Sequence, residues 1–189
     1  HLLQKISKGA GNMKKNKIKR FIVMVVILFI SYLLQCTVFQ KLTLASIKPN
    51  LLLIITASIG FMRGQKEGMF LGFFSGLLID IQFGTMLGFY ALIYLIVGYI
   101  NGMFQKMYYD DNIKLPLCLI AGSELFYGIT VYLFMFMLRS EFNFLYYLNH
   151  IIIPELIYTI AVTIGLYPLI LFINHKLEAE EKRSASKFV

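Results

Sequence analysis

Between Gly60 and Gly88 one spacing repeats: glycine at 60, 64, 68, 72 and 76, Asp80 in the next place, then glycine at 84 and 88. The residues between them are mostly Leu, Ile, Phe and Met. A helix turns about 100° per residue, so a step of four drifts by roughly 40° and lays bare backbone along a slanted stripe. Such a stripe lets a second helix come close, and in lipid small residues favour right-handed crossings of this kind. The glycines Gly60, Gly64, Gly68, Gly72, Gly76, Gly84 and Gly88 therefore predict a packing seam, either internal or open as a docking groove for a partner's span. Asp80 is the member of the series that packing does not explain.

Composition says what medium the stripe sits in. The chain of 189 residues is 58% apolar, with mean hydropathy +0.71, and only 15% of its residues are charged. A soluble domain carries about a quarter charged residues. Here the charges gather between long apolar runs, which predicts an all-α polytopic membrane protein with one membrane domain over 21–174. The net charge of +8 lies mainly in the tails and short loops, where anionic lipid and topology account for it. No nucleic-acid partner is expected.

The spans are predicted at about 21–38, 51–62, 69–81, 83–104, 115–138 and 153–174. Met13 followed by a lysine-rich run suggests a native start, with 1–12 a cloning remnant or upstream read-through outside the fold. Residues 13–20 form a basic cytoplasmic tail and 175–189 a second tail. Pro49-Asn50 suits a helix start with Asn50 as cap. Pro116 and Pro154 suit the first turns of spans five and six, and Pro168 should kink the sixth. The aromatic stretch between spans five and six (Phe142, Phe144, Tyr146, Tyr147) suits a loop at the lipid–water boundary.

Spans two and three are shorter than the ~20 residues expected of a crossing helix, so a re-entrant pair is an alternative. It would carry Arg63, Lys66 and Glu67 toward the bilayer centre, at roughly 2.5–3.5 kcal/mol per charge. Two spanning helices joined by a tight turn let these side chains reach the interface. With the N-terminus inside, the inner segments hold 15 of the 18 Lys and Arg and the outer segments 3 (Lys41, Lys48, Arg139). Six spans with both termini cytoplasmic follow from that asymmetry.

Three acids lie within or beside apolar runs: Asp80, Glu124 and Glu155. Asp80 lies roughly 21 Å from the inner edge, counted from Lys66, so it is either a helix-end cap or pair, with Lys48 or Arg139 in reach, or a partner contact. Glu124 falls near mid-membrane with no basic residue at its depth. It should be neutral or bonded to hydroxyls such as Ser75, Thr130 or Tyr94, as helix glue or as a functional group. Glu155 follows Pro154, where a helix N-terminus favours a negative charge. Asp110-Asp111 reads as a cap for the fifth helix. Cys36 and Cys118 read as two buried thiols used as small apolar residues. No Ser, His and acid converge, and no phosphate loop or acidic metal cluster is present in the sequence. No enzymatic activity, cofactor or metal is expected.

From Pro49 onward the chain resembles the rod shape-determining protein MreD family. The likeness rests on Pro49-Asn50-Leu51-Leu52-Leu53, Arg63-Gly64, Gly68, Gly72, Gly76-Leu77-Leu78-Ile79-Asp80, Gly84 and Leu87-Gly88. The six-span order and the lysine-rich start extend it over nearly the whole chain. The resemblance implies a non-enzymatic inner-membrane scaffold of bacterial cell elongation. Its implied partners are the bitopic protein MreC, the actin-like filament protein MreB, and the glycan polymerase and transpeptidase of lateral wall synthesis. That family in turn resembles the six-helix substrate-binding subunits of energy-coupling-factor vitamin transporters, which supply the alternative function. Those subunits carry a small-residue motif in the first helix, and Phe21–Val38 contains neither Ala nor Gly.

Overall fold

The computed structural model describes residues 2–41, 47–84, 86–108, 112–136 and 143–186. Apart from short connecting stretches these residues are helical: α1 (Leu2–Lys41), α2 (Leu51–Arg63), α3 (Gln65–Phe83), α4 (Phe89–Met103), α5 (Lys114–Val131), α6 (Phe144–Tyr147) and α7 (Ile153–Ser186). A 3₁₀ turn, Phe104–Met107, extends α4, and a widened π-type stretch, Tyr132–Phe136, extends α5. A second π stretch, Leu148–Ile152, joins α6 to α7, so that one helical rod runs from Phe144 onward. The described residues thus form six rods.

α2 sits at the centre. Its sequence is apolar on every side, and a helix without a polar face must be buried all round. Leu51 through Met62 are all buried, with Leu52, Leu53, Ile54, Ile55 and Ala57 wholly so. Asn50 caps it, its side-chain oxygen accepting from the Leu53 N–H at 3.2 Å. α1, by contrast, carries Phe21, Ile22, Val25, Val26, Phe29, Ile30 and Leu33 on an exposed face. A contiguous apolar band of this extent belongs in lipid. Together with the helices able to cross a bilayer it marks a membrane protein.

Among the described residues three helical segments are long and apolar enough to cross a membrane: Lys14–Phe39, Lys114–Met135 and Phe144–Arg183. α2, α3 and α4 are not among them. Thirteen residues take α2 only roughly 20 Å along its axis. The six predicted spans thus appear as six helical rods of unequal length, three long ones around three shorter helices, α2 to α4.

Other boundaries also move. α1 begins at Leu2, so the segment before Met13 is continuous with the first apolar run; extending a formed helix costs far less than nucleating one. A single residue, Gly64, separates α2 from α3, at φ 101° and ψ 179°. That backbone region is open almost only to glycine. Gly84 and Gly88 lie outside α3 and α4, before the start of α4 rather than in a fourth span. The described part of the aromatic loop is helical from Phe144. Pro154 therefore falls inside a rod instead of opening one. It lacks the N–H that the His150 carbonyl would receive, and the widened turn at Leu148–Ile152 is the local adjustment that keeps the helix intact. α7 continues as helix through Pro168. Arg139 and Asp110-Asp111 lie outside the described residues.

Candidate functional site

The period of four in α3 is answered by a period of four in α4. A methyl group placed on Gly68 would strike the Gly98 carbonyl, one on Gly72 the Tyr94 carbonyl, and one on Gly76 the backbone of Tyr90 and Ala91, each closer than 3.0 Å. Each step forward along α3 meets an equal step back along α4, so the two helices run antiparallel in fixed register. Gly98 and Gly102 make the same approach from the α4 side, onto Gly68 and Gln65. Gly60 of α2 faces the Gly98 carbonyl and lies against Gly68. The contacts are backbone against backbone, so no side chain can rotate away to admit a larger residue.

The seam is therefore filled by the chain itself, and no groove for a partner remains along it. Two members of the sequence pattern have a different role. Gly84 closes onto the Asp80 backbone at the end of α3, and Gly88 has open space around its Cα but φ 100°, a left-handed conformation at the start of α4. Gly98 and Gly102, visible in the sequence as another four-residue pair, belong in the seam instead.

Asp80 ties off the end of this hairpin where α3 passes into α4. Its Oδ2 accepts the N–H groups of Gly88 and Ala91 at 3.0 Å each, and its Oδ1 accepts that of Tyr90 at 2.9 Å. These are the unpaired donors of the first turn of α4, where the helix dipole also favours a carboxylate. At 3% exposure the carboxylate is buried, with its oxygens engaged by main-chain donors. Thr56 and Ser75 share a hydrogen bond at 3.2 Å across α2 and α3.

A second polar cluster lies between α2, α4, α5 and α7. Tyr94 donates to Asn50 Oδ1 at 2.6 Å, and the Asn50 N–H donates to Thr159 Oγ1 at 3.1 Å. Glu124 is 1% exposed; the Asn50 amide lies beside it and Glu155 within electrostatic reach, but among the described residues no donor meets either carboxyl oxygen in good hydrogen-bond geometry. The hydroxyls expected to serve it are engaged elsewhere: Ser75 with Thr56, Tyr94 with Asn50, and Thr130 with the Phe126 carbonyl at 2.7 Å. Glu155 stands well inside the rod that starts at Phe144, so it caps no free helix end. Among the described residues no group of three His, Cys, Asp or Glu could hold a metal ion. Both cysteines are free, with Cys118 exposed and Cys36 donating to Gln82 at 2.9 Å.

At the opposite end from Asp80, charges join four rods, α1, α2, α3 and α7. Arg20 of α1 pairs with Glu67 of α3 at 2.7 Å and with Glu181 of α7 at 2.9 Å. Arg63 at the end of α2 pairs with the same Glu181 at 3.1 Å and also bonds Asn174. Lys19 and Glu180 add an exposed pair. Burial raises the Glu67 carboxyl above its usual range, against the pull of Arg20 and then Arg63, and its Oε2 is buried without a partner. The sequence shows these charges one by one, but not that Glu181 pairs with Arg20 and Arg63, each more than a hundred positions away.

No curated protein and no solved structure matches the chain. The family model of the rod shape-determining protein MreD matches residues 15–176, from the basic start of α1 to the first charged residue beyond the apolar part of α7. That range covers most of the chain and holds the glycine seam, Asp80 and the buried polar cluster, so the protein belongs to the MreD family of rod shape-determining proteins.

Proposed function

We propose that the protein is a non-enzymatic scaffold of the bacterial cell-elongation machinery, crossing the cytoplasmic membrane six times with both termini inside. Membership in a rod-shape family carries the reading. In it, helix contacts recruit an MreC-like bitopic protein, and an MreB-like filament protein meets the inner face. The glycan polymerase and transpeptidase of lateral wall synthesis join the same assembly.

The orientation draws support from the ion pairs that bring Arg20, the α2–α3 turn and Glu181 to one end of the bundle. An arrangement with the ends of α1 and α7 on opposite faces could not hold them. The excess of Lys and Arg at that end supports placing it in the cytoplasm. Because α4 occupies the glycine seam, partner contacts run through lipid-facing side chains instead. The seam's part is to hold α2, α3 and α4 as a rigid centre against which such contacts can be made.

Depletion in rod-shaped cells tests the proposal. Cells should round, and the protein should co-purify with its bitopic partner. A C-terminal reporter should be active only when cytoplasmic. Rods that persist on depletion, with a vitamin bound to the purified protein, would reverse the reading in favour of solute capture.

A further inference from the structure

α3 presents its glycines to α4 and its phenylalanines the other way. Between α1 and α3 this leaves an apolar cleft. One cavity of about 300 Å³ is lined by Lys17, Arg20, Lys66, Phe21 and Phe70 among others. A second, of about 370 Å³, shares Phe21, Val25, Phe70 and Leu71 with the first and continues to Phe29, Leu77 and Leu78. They form one groove with a charged mouth and an apolar floor. The rings of Phe21, Phe70 and Phe74 meet at a tilt along it, with centroids 5.4 and 4.7 Å apart, and stay 42–48% exposed.

The mouth has an excess of positive charge. Arg20 is neutralised by Glu67 and Glu181, which face it from α3 and α7. Lys17 and Lys66 are exposed and make no ion pair or hydrogen bond among the described residues. Two uncompensated ammonium groups thus stand over an apolar channel.

Length decides what fits. From Lys17 to Phe29 the groove follows twelve residues of α1, roughly 18 Å, little more than half of a bilayer core about 30 Å thick. A partner's spanning helix would need a cleft through both leaflets. A single phospholipid needs one leaflet, with cations at the headgroup level and apolar wall below.

We propose that the α1–α3 groove is a binding site for one anionic phospholipid, its phosphate between Lys17 and Lys66 and an acyl chain along Phe21, Val25, Phe70 and Leu71. Its assignment to the inner leaflet rests on the orientation proposed above; the binding itself does not.

Native mass spectrometry of the full chain, released from vesicles of equal phosphatidylglycerol and phosphatidylcholine, tests the site. The wild type should keep one phosphatidylglycerol in preference to phosphatidylcholine. Each lysine near an anionic headgroup shifts affinity by roughly fivefold, so K17Q/K66Q should lower retention about 25-fold. K14Q/K15Q, which removes as much charge outside the groove, should leave retention within about twofold of wild type. V25W fills the floor and should lower retention with all charges intact. Helical circular dichroism of each variant identifies any that fail to fold.

Equal retention of both lipids would overturn the proposal. So would equal losses from K14Q/K15Q and K17Q/K66Q, which would mark a diffuse basic tail, or in-cell photo-crosslinks from position 70 to another protein's helix instead of lipid. Rods that survive depletion while the purified protein still selects phosphatidylglycerol would sink the scaffold reading and leave the site standing. The reverse result would sink only the site.

Discussion

The two faces of α3 show two ways of treating a membrane helix surface. Toward α4 it offers Gly68, Gly72 and Gly76, and the facing carbonyls approach so closely that not even a methyl group fits. Toward lipid it offers Phe70, Phe73 and Phe74, each at least 40% exposed. Lipid tails are as apolar as Phe, so burying Phe gains little in a bilayer, whereas backbones in contact gain dispersion and lose no side-chain freedom. The helix therefore closes where it is small and stays open where it is large.

The sharpest way to break this contrast is to make the small face larger. Gly72→Ala places a methyl group against the Tyr94 carbonyl, and overpacking against backbone should cost roughly 2–3 kcal/mol. The same change at Gly122 or Gly165, which have nothing within 4 Å, should be neutral or slightly stabilising. Unfolding midpoints in detergent check both, and a tolerated Gly72→Ala would refute the close register of α3 and α4.

Asp80→Ala opens the same hairpin at its α3–α4 turn. Three N–H groups lose their acceptor, which should cost about 2–3 kcal/mol, and Asp80→Asn, keeping one acceptor oxygen, about half of that. Amide exchange at Gly88, Tyr90 and Ala91 should rise first. Uniform loss across the bundle would assign Asp80 some wider role.

At the opposite end of the bundle, Glu181→Gln leaves Arg63, 8% exposed, without its carboxylate and should cost roughly 1–3 kcal/mol. Glu67→Gln should cost less, because burial already disfavours its charge. The sign follows from that raised pKa. The folded state holds the Glu67 proton more firmly than the unfolded state, so its contribution to stability is present at low pH and declines as pH rises through the folded value. Glu67→Gln should flatten that part of a stability–pH curve, and a steeper curve would contradict the assignment.

The smallest effect belongs to the open face. Phe74→Ala should change stability by less than about 0.5 kcal/mol, as for surface changes generally. A loss comparable to that of Gly72→Ala would mean that this face is packed in the functional assembly.

Much of this was legible in the chain order. The all-helical membrane character follows from apolar runs that cannot stay in water, and the glycine stripe of α3 from its spacing alone. Asn50 as the cap of α2 came from Pro49-Asn50. The seam's second half was harder, because Gly98-x₃-Gly102 gains meaning only when α4 folds back. The start of the last rod was misplaced since Pro154 usually opens a helix, and only a widened turn lets one run through it. Glu124's hydroxyl partners were wrong for a related reason: depth in the membrane can be counted, but rotation about a helix axis relative to neighbours cannot.

The sequence by itself determined which segments are helical, which medium surrounds them and where bare backbone is offered, because propensity, hydropathy and the helical period act within a few residues. Tertiary structure decided who accepts the offer. It set α4 against the glycines, turned Asp80 onto main-chain donors, placed Glu124 beside the Asn50 amide and gave Glu181 to both Arg20 and Arg63. Those outcomes depend on register and rotation between segments up to 161 positions apart, and no local rule carries that information.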